Sequence, residues 1–386
     1  MPNRNPPDET RSLSALRREW VVMALAAALL LAGGWRVLHA GWGAAYALRW
    51  LAAALVVSAY GFFHLWRHLG ENRRKEPGSP LFADLGVANR LTFARAIFNA
   101  MLVGFLLGPW PWGWLAWIPA VLYIASSLMD YLDGYVARIT GRTTMLGEAL
   151  DMKWDGVGLL AAGTLSVLYG QTPVLYLLVG FARYLYLFGL WIHKRRGLTE
   201  HELPPSRFRR ALAGTQMGFV AVVLLPVFRP PETHVAAVLF AAPLLIGFVR
   251  DYLWVTGVIG RGSTRVPRTS RSVDQTWFQL ALRGLLAALL VNLLSHMLGQ
   301  GNAQPGLLIT AFVAVPLVLL GAAGRSAALA VLLMTGFRLQ SDPLEWRLWL
   351  ILLTSTLLFF TGTGAWSLWR PEEWLIDHRA GEAREG

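Results

Sequence analysis

The chain has 386 residues, 55% of them hydrophobic and only 15% charged, and a mean hydropathy of +0.45, which is far more apolar than a soluble globular protein requires. Its net charge of +12 would suit a nucleic-acid partner, but the Arg and Lys residues sit mainly in short loops between apolar runs, a placement that fits anionic lipid headgroups instead. There is no cysteine, so disulfides, thiolate chemistry and Cys-ligated zinc are excluded, and any metal has to be held by oxygen or histidine.

Crossing a hydrocarbon layer of about 30 Å takes roughly 20 apolar residues in a helix. About twelve apolar runs read as such spans. In chain order they are Trp20 to Gly34, Ala45 to Trp66, Leu91 to Pro109, Gly113 to Asp133, Ala149 to Tyr169, Val174 to Ile192, Ala211 to Val227, Val235 to Val258, Trp277 to Leu298, Leu307 to Leu320, Ala327 to Phe337 and Leu348 to Trp369. The first follows Arg11, Arg17 and Arg18 as a secretory signal would, but no small-residue cleavage site follows it and a second run comes at once, so it reads as an uncleaved anchor. The short runs on either side of Gly321 to Ser326 also read as one re-entrant hairpin, which would leave about ten spans. The expected fold is an all-α polytopic membrane protein with about 10–12 spans.

Orientation follows from the basic loops. Arg67, Arg73, Arg74 and Lys75, then Arg138 and Arg142, then Lys194, Arg195, Arg196, Arg207, Arg209 and Arg210, then Arg261, Arg265, Arg268 and Arg271 all fall on one side if the spans alternate. The opposite loops, Gly108 to Gly113, Gly170 to Pro173 and Gly299 to Gly306, are uncharged. The positive-inside rule then places both termini in the cytoplasm, with Arg36 and Arg338 as exceptions. Three parts are expected: a two-span N-terminal region at 1–84, a six-span middle at 85–262, and, after an Arg/Ser/Thr-rich linker, a C-terminal membrane extension at 263–386.

The polar residues of 129–156 carry the chemistry. Asp130 and Asp133 stand at i and i+3 on one span, and Asp151 and Asp155 at i and i+4 on the next, with Ala137 and Gly147 one turn along the respective stripes. The short link from Ile139 to Leu146 makes the two helices antiparallel neighbours, so the two acidic faces can converge. Four carboxylates brought together repel one another unless cations neutralise them, and oxygen ligands without His or Cys select Mg²⁺ or Mn²⁺ over zinc. A pair of such ions suits a pyrophosphate clamp, which points to phosphate chemistry at a membrane surface. Gly134 and Gly147 would let phosphates approach the backbone, and Arg138 is placed to fork one. The bland alternatives are acidic helix ends that snorkel to the interface and an Arg138 that serves as a cytoplasmic anchor.

The pattern Asp130, Asp133-Gly134, Ala137-Arg138, Gly147, Asp151, Asp155 resembles the complete signature of the CDP-alcohol phosphatidyltransferase family. Upstream, Asn89, Leu91, Thr92 and Arg95 are similar to that family's Asn-x-Leu-Thr-x-x-Arg segment, although they also read as residues that cap and anchor a membrane helix. The resemblance implies a six-helix catalytic core and a reaction in which a phosphatidyl group passes from a CDP-linked lipid, such as CDP-diacylglycerol, to an alcohol with release of CMP. It implies that Asp130, Asp133, Asp151 and Asp155 hold two Mg²⁺ or Mn²⁺ ions, with Asp155 also the base. Gly134, Ala137, Arg138 and Gly147 would line the CDP site with Asn89, Thr92 and Arg95. It further implies a homodimer. The Ala/Leu/Arg-rich composition suggests a bacterial cytoplasmic membrane, and the basic loops turn the site to the cytoplasm.

Other readings stay open. A transporter using intramembrane aspartates or a metal-dependent prenyltransferase would share part of this pattern. Arg183, inside a span, reads either as an acceptor contact or as a partner for a core carboxylate, and the basic cluster at Lys194–Arg196 with Arg209 and Arg210 reads first as a headgroup contact. Where many phosphatidylglycerophosphate synthases carry Gly-Lys-x-Lys-Thr-x-x-Gln, this chain runs from Arg209 to Gln216 with only the first basic position and the Gln in common. The basic residues favour a phosphorylated polyol as acceptor over a neutral alcohol or a second lipid. The many Trp residues read as interfacial belts.

Overall fold

Residues 6–198, 201, 203, 207–259, 273–299, 305–364 and 366–370 are described by the computed structural model. The linker with Arg261, Arg265, Arg268 and Arg271, the uncharged loop at 300–304 and the charged tail after Arg370 lie outside the described residues. Among the described residues there are twelve α-helices and no strand: α1 (Pro6–Gly41), α2 (Ala44–His68), α3 (Gly86–Gly104), α4 (Ile118–Ile139), α5 (Met145–Leu168), α6 (Leu177–Arg195), α7 (Arg207–Val223), α8 (Glu232–Val255), α9 (Val273–Gly299), α10 (Pro305–Leu320), α11 (Gly324–Leu339) and α12 (Trp346–Thr361). Apolar runs become helices because a backbone in hydrocarbon has to satisfy its own hydrogen bonds.

Seven helices (α1, α2, α3, α4, α6, α8 and α9) are long and apolar enough to cross a membrane, against the ten to twelve spans expected. The difference has local causes. α5 is long but carries Glu148, Asp151, Lys153 and Asp155, while α10, α11 and α12 have 16 residues each. The run expected to extend as one span from Leu348 to Trp369 stops at Thr361, because Gly362 and Gly364 take φ values of 77° and 83°, which only glycine adopts readily. The chain then returns along the turn between α10 and α11, where Leu368 N–H donates to Leu320 O at 3.1 Å and Ala323 N–H to Trp369 O at 2.9 Å.

The chain divides into two compact units, one built on residues 6–185 with 213–226 and the other on residues 186–212 with 227–370. In the second, α9 packs against α10 and α12, and α11 against α8, α10 and α12. Buried Leu286, Leu290, Val318, Ala328, Ile351 and Leu358 form its core. Buried Arg283 of α9 directs its guanidinium to the carbonyls of Val318, Leu319, Thr363 and Trp366, and so satisfies the end of α10 and the returning chain.

In the first unit α3 is the central helix, packed on α2, α4 and α5, and α1 covers α2. Small residues allow the close approach of α2 and α3. The Trp50 indole N–H donates to Met101 O at 2.8 Å, and a Cβ added at Gly104 would stand 2.7 Å from the Trp50 carbonyl oxygen. Three turns further along the same face of α2, a Cβ at Gly61 would meet the Trp154 ring at 2.9 Å. A Gly104→Leu change therefore forces α2 off α3 and should lower stability by ~1–3 kcal/mol or more. Thermal unfolding of the detergent-solubilised protein checks this, and a midpoint equal to that of the wild type would contradict the packing.

Candidate functional site

The site lies in the first unit, where α3 meets α4 and α5. Two local signals bring α4 and α5 together. α4 ends at Ile139, two residues before Gly141, which takes φ 60°, and α5 begins behind Thr144, whose side-chain oxygen caps the helix by accepting from Gly147 N–H at 3.0 Å. α3 presents a row of buried polar side chains, Asn89, Thr92, Arg95 and Asn99, at spacings of three, three and four that keep them on one helical face.

Each member of that row ties α3 to a neighbour. Asn89 Nδ2 donates to Thr144 Oγ1 at 3.1 Å. Thr92 Oγ1 donates to Asp133 Oδ2 at 2.7 Å. Arg95 pairs with Asp130, with Asp151 at 2.7 Å and with Asp155 at 2.6 Å. Asn99 accepts from Ser126 Oγ at 2.7 Å and donates to Trp154 O at 3.1 Å.

Oxygens of Asp130, Asp151 and Asp155 lie within 4.8 Å of one another, so α4 and α5 converge as the spacing predicts. Asp133 is not in that group; its carboxylate is 5% exposed and turned to Thr92. The Arg95 side chain is 2% exposed, while those of Asp130, Asp151 and Asp155 are 28%, 46% and 40% exposed. The guanidinium thus forms the floor of the site and the carboxylates open outward. One guanidinium does not balance three carboxylates, and the donor set is all oxygen, so the residues fit a hard divalent cation. Below this layer the Tyr123 ring is 1% exposed.

Gly147 lets α3 pack closely on α5: a Cβ there would stand 2.5 Å from Asn89 Oδ1 and 3.1 Å from Thr144 Oγ1, so those side chains fill the place of the missing Cβ. Arg138 folds back over Gly134, with Nη1 3.1 Å from where a Cβ would be, and Ala137 beside it is half-buried. Arg183 of α6 runs past Gly156, the neighbour of Asp155, with Cδ 3.8 Å from a Cβ placed there. In the second unit Arg209 reaches Asp251 at 3.4 Å, which commits to an ion pair a residue expected to meet headgroups or an acceptor. The Arg210 side chain lies outside the described residues. Gln216, the one further match to the glycerol 3-phosphate pattern, is buried and accepts from Tyr176 Oη at 2.7 Å.

Sequence reasoning missed the tie between Asn99, Ser126 and Trp154. A signal was present, since Asn99 follows Arg95 by one helical turn and continues its stripe. It also missed the contacts from the N-terminal helices to the site. Lys153 Nζ donates to Tyr60 Oη at 2.9 Å, Glu19 accepts from Leu85 N–H at 2.9 Å and pairs with Arg90, and Asn72 accepts from Asn89 Nδ2 at 3.0 Å.

Comparison with known proteins bears on this segment. Residues 85–249 match the family model described as CDP-alcohol phosphatidyltransferase. Over 112 residues the chain is 30% identical to the CDP-diacylglycerol--glycerol-3-phosphate 3-phosphatidyltransferase of Bacillus subtilis (strain 168), a stretch that makes up 26% of this chain and 58% of the relative. The chain therefore spans a little over half the length of that relative. No solved structure matches. The full signature, on converging helices, lies inside the segment matched to the CDP-alcohol phosphatidyltransferase model, residues 85–249.

Proposed function

We propose that the protein is a divalent-metal-dependent phosphotransferase that moves a phosphatidyl group from a CDP-linked lipid such as CDP-diacylglycerol to an alcohol and releases CMP. The observation that carries the reading is the convergence of Asp130, Asp151 and Asp155 within 4.8 Å, in a segment matched to a family of that chemistry. Asp130, Asp151 and Asp155 would hold the ions, with Asp133 joining them by turning from Thr92. Two Mg²⁺ or Mn²⁺ ions there would offset the charge of the pyrophosphate and of the departing CMP.

The protein's own residues would do the rest. Asn89, Thr92, Gly134, Ala137, Arg138 and Gly147 would line the CDP moiety, with Arg95 holding the carboxylates from below rather than meeting the nucleotide directly. The acceptor hydroxyl attacks the lipid-side phosphorus, the bond from that phosphorus to the CMP oxygen breaks, and Asp155 takes the hydroxyl proton. Arg183, which passes Gly156 beside Asp155, is placed to steer the acceptor. A phosphorylated polyol is favoured by that charge, and the match to a relative named for glycerol 3-phosphate keeps that compound first in the panel to be tried. The positive-inside distribution supports cytoplasmic termini and a cytoplasmic site in a bacterial membrane, and the family resemblance supports a homodimer. Neither the transporter nor the prenyltransferase alternative accounts for the match of residues 85–249 to this family.

Purified protein should release CMP from CDP-diacylglycerol with at least one alcohol of a panel, in Mg²⁺ or Mn²⁺ and not in EDTA. No CMP with any acceptor, or full turnover in EDTA, would overturn the reading. Asp155→Asn should lower kcat by about 10²–10⁴-fold while CDP-diacylglycerol still binds. Asp130→Asn should weaken Mn²⁺ binding, read by electron paramagnetic resonance, and an unchanged Mn²⁺ affinity would remove Asp130 from the ligand set.

A further inference from the structure

The N-terminal helices and the link after them lie outside residues 85–249, yet the link reaches into the candidate CDP site. We propose that Asn72, in that link, is a positioning residue that fixes the orientation of Asn89 and thereby the binding of the CDP-linked lipid. This rests on the reading of Asn89 as part of the CDP site.

Asn72 is fully buried, at 0% exposure. Its Nδ2 donates to Asp84 O at 2.8 Å and to Phe82 O at 3.4 Å, so the donor end of its amide is committed to its own link. Its Oδ1 is thereby turned to α3, where it accepts from Asn89 Nδ2 at 3.0 Å. The second hydrogen of Asn89 Nδ2 goes to Thr144 Oγ1 at 3.1 Å. An asparagine amide has two donor hydrogens and one carbonyl oxygen. With both hydrogens held, the Asn89 carbonyl oxygen is the end presented to Gly147. A reversed Asn89 would set its amide donors against Gly147 and its oxygen against that of Asn72, a repulsive arrangement that a buried pair does not tolerate.

The link that carries Asn72 is itself fixed to the site. Phe82 N–H donates to Asn72 O at 2.9 Å, and Met145 N–H, at the start of α5, donates to Arg73 O at 3.0 Å. Arg142, in the loop between α4 and α5, pairs with Asp84, and its hydrogen bond holds the Asp84 carboxyl below its ordinary range. The Asn72–Arg73 pair therefore bonds both to Asn89, which packs against Gly147, and to the first turn of α5, which carries Gly147.

The test is a double-mutant cycle on the full-length protein with CMP release as the assay. Wild-type release checks the reading of the function separately, because its absence sinks that reading whatever Asn72 does. Given an active wild type, Asn72→Ala should raise KM for CDP-diacylglycerol about tenfold with kcat within about threefold. Asn89→Ala should raise KM at least as much. The double variant should match Asn89→Ala alone, since without the Asn89 amide nothing remains to be oriented. Effects that multiply, or an Asn72→Ala enzyme with wild-type KM, would overturn the proposal and leave Asn72 as a structural link residue. Should Asn72→Ala not fold, Asn72→Asp decides: it keeps the acceptor for Asn89 and loses the donors to Phe82 and Asp84. Its KM should then stay within about threefold of wild type despite a lower unfolding temperature, and a KM raised about tenfold would refute the assignment.

Discussion

One ion cluster organises the first unit. Arg95, buried on α3, holds Asp130 from α4 and Asp151 and Asp155 from α5. A guanidinium at membrane depth without partners is expensive, and so are three carboxylates without a cation. Together they set the approach of three helices, and the polar residues above and below Arg95 repeat the pattern. Asn89 reaches Thr144, Thr92 reaches Asp133, and Asn99 reaches Ser126 and Trp154. α3 is thus joined to α4 and α5 by directional bonds along its length, where hydrocarbon alone offers little drive for helix association.

The same cluster gives the site its polarity. Arg95 is buried and the acids are partly exposed, so the charge left uncompensated faces outward. Buried positive charge below and open negative charge above form an arrangement that fits a hard divalent cation on its open side. α1, α2 and the link after α2 complete this frame. Trp50 and Trp154 fill the spaces left by Gly104 and Gly61, and Asn72 and Arg73 bond to Asn89 and Met145. These contacts make the N-terminal helices part of the first unit, even though the family match begins at residue 85.

The parts of this arrangement that depend on local periodicity were readable in the sequence. The i, i+3 and i, i+4 aspartates announced two acidic helix faces, and the short link between them announced antiparallel neighbours. The twelve apolar runs each became a helix, since apolar length alone dictates helix in hydrocarbon. What escaped was long-range or set by single residues. Asp133 turns to Thr92, 41 positions away, instead of joining the trio, and no periodicity encodes that choice. The family resemblance puts Arg95 beside the nucleotide, while the structure commits it to three carboxylates supplied by two other helices. The last apolar run reads as one span because nothing in its composition marks Gly362 and Gly364, whose positive φ values end α12 early. The link from Asn72 to Asn89 joins two residues whose polar character was visible and whose proximity was not.

The claim on which all of this rests is that the three carboxylates share one site whose stability requires positive charge. The direct measurement is the thermal unfolding of Arg95→Met protein in EDTA and in Mn²⁺, beside the wild type. Removing one partner of a buried ionic cluster costs about 3–5 kcal/mol, so in EDTA the midpoint should fall by about 5 °C or more, and Mn²⁺ should restore most of the loss by neutralising the exposed acids. An Arg95→Met protein that unfolds at the wild-type temperature in EDTA, or gains nothing from Mn²⁺, would contradict the account.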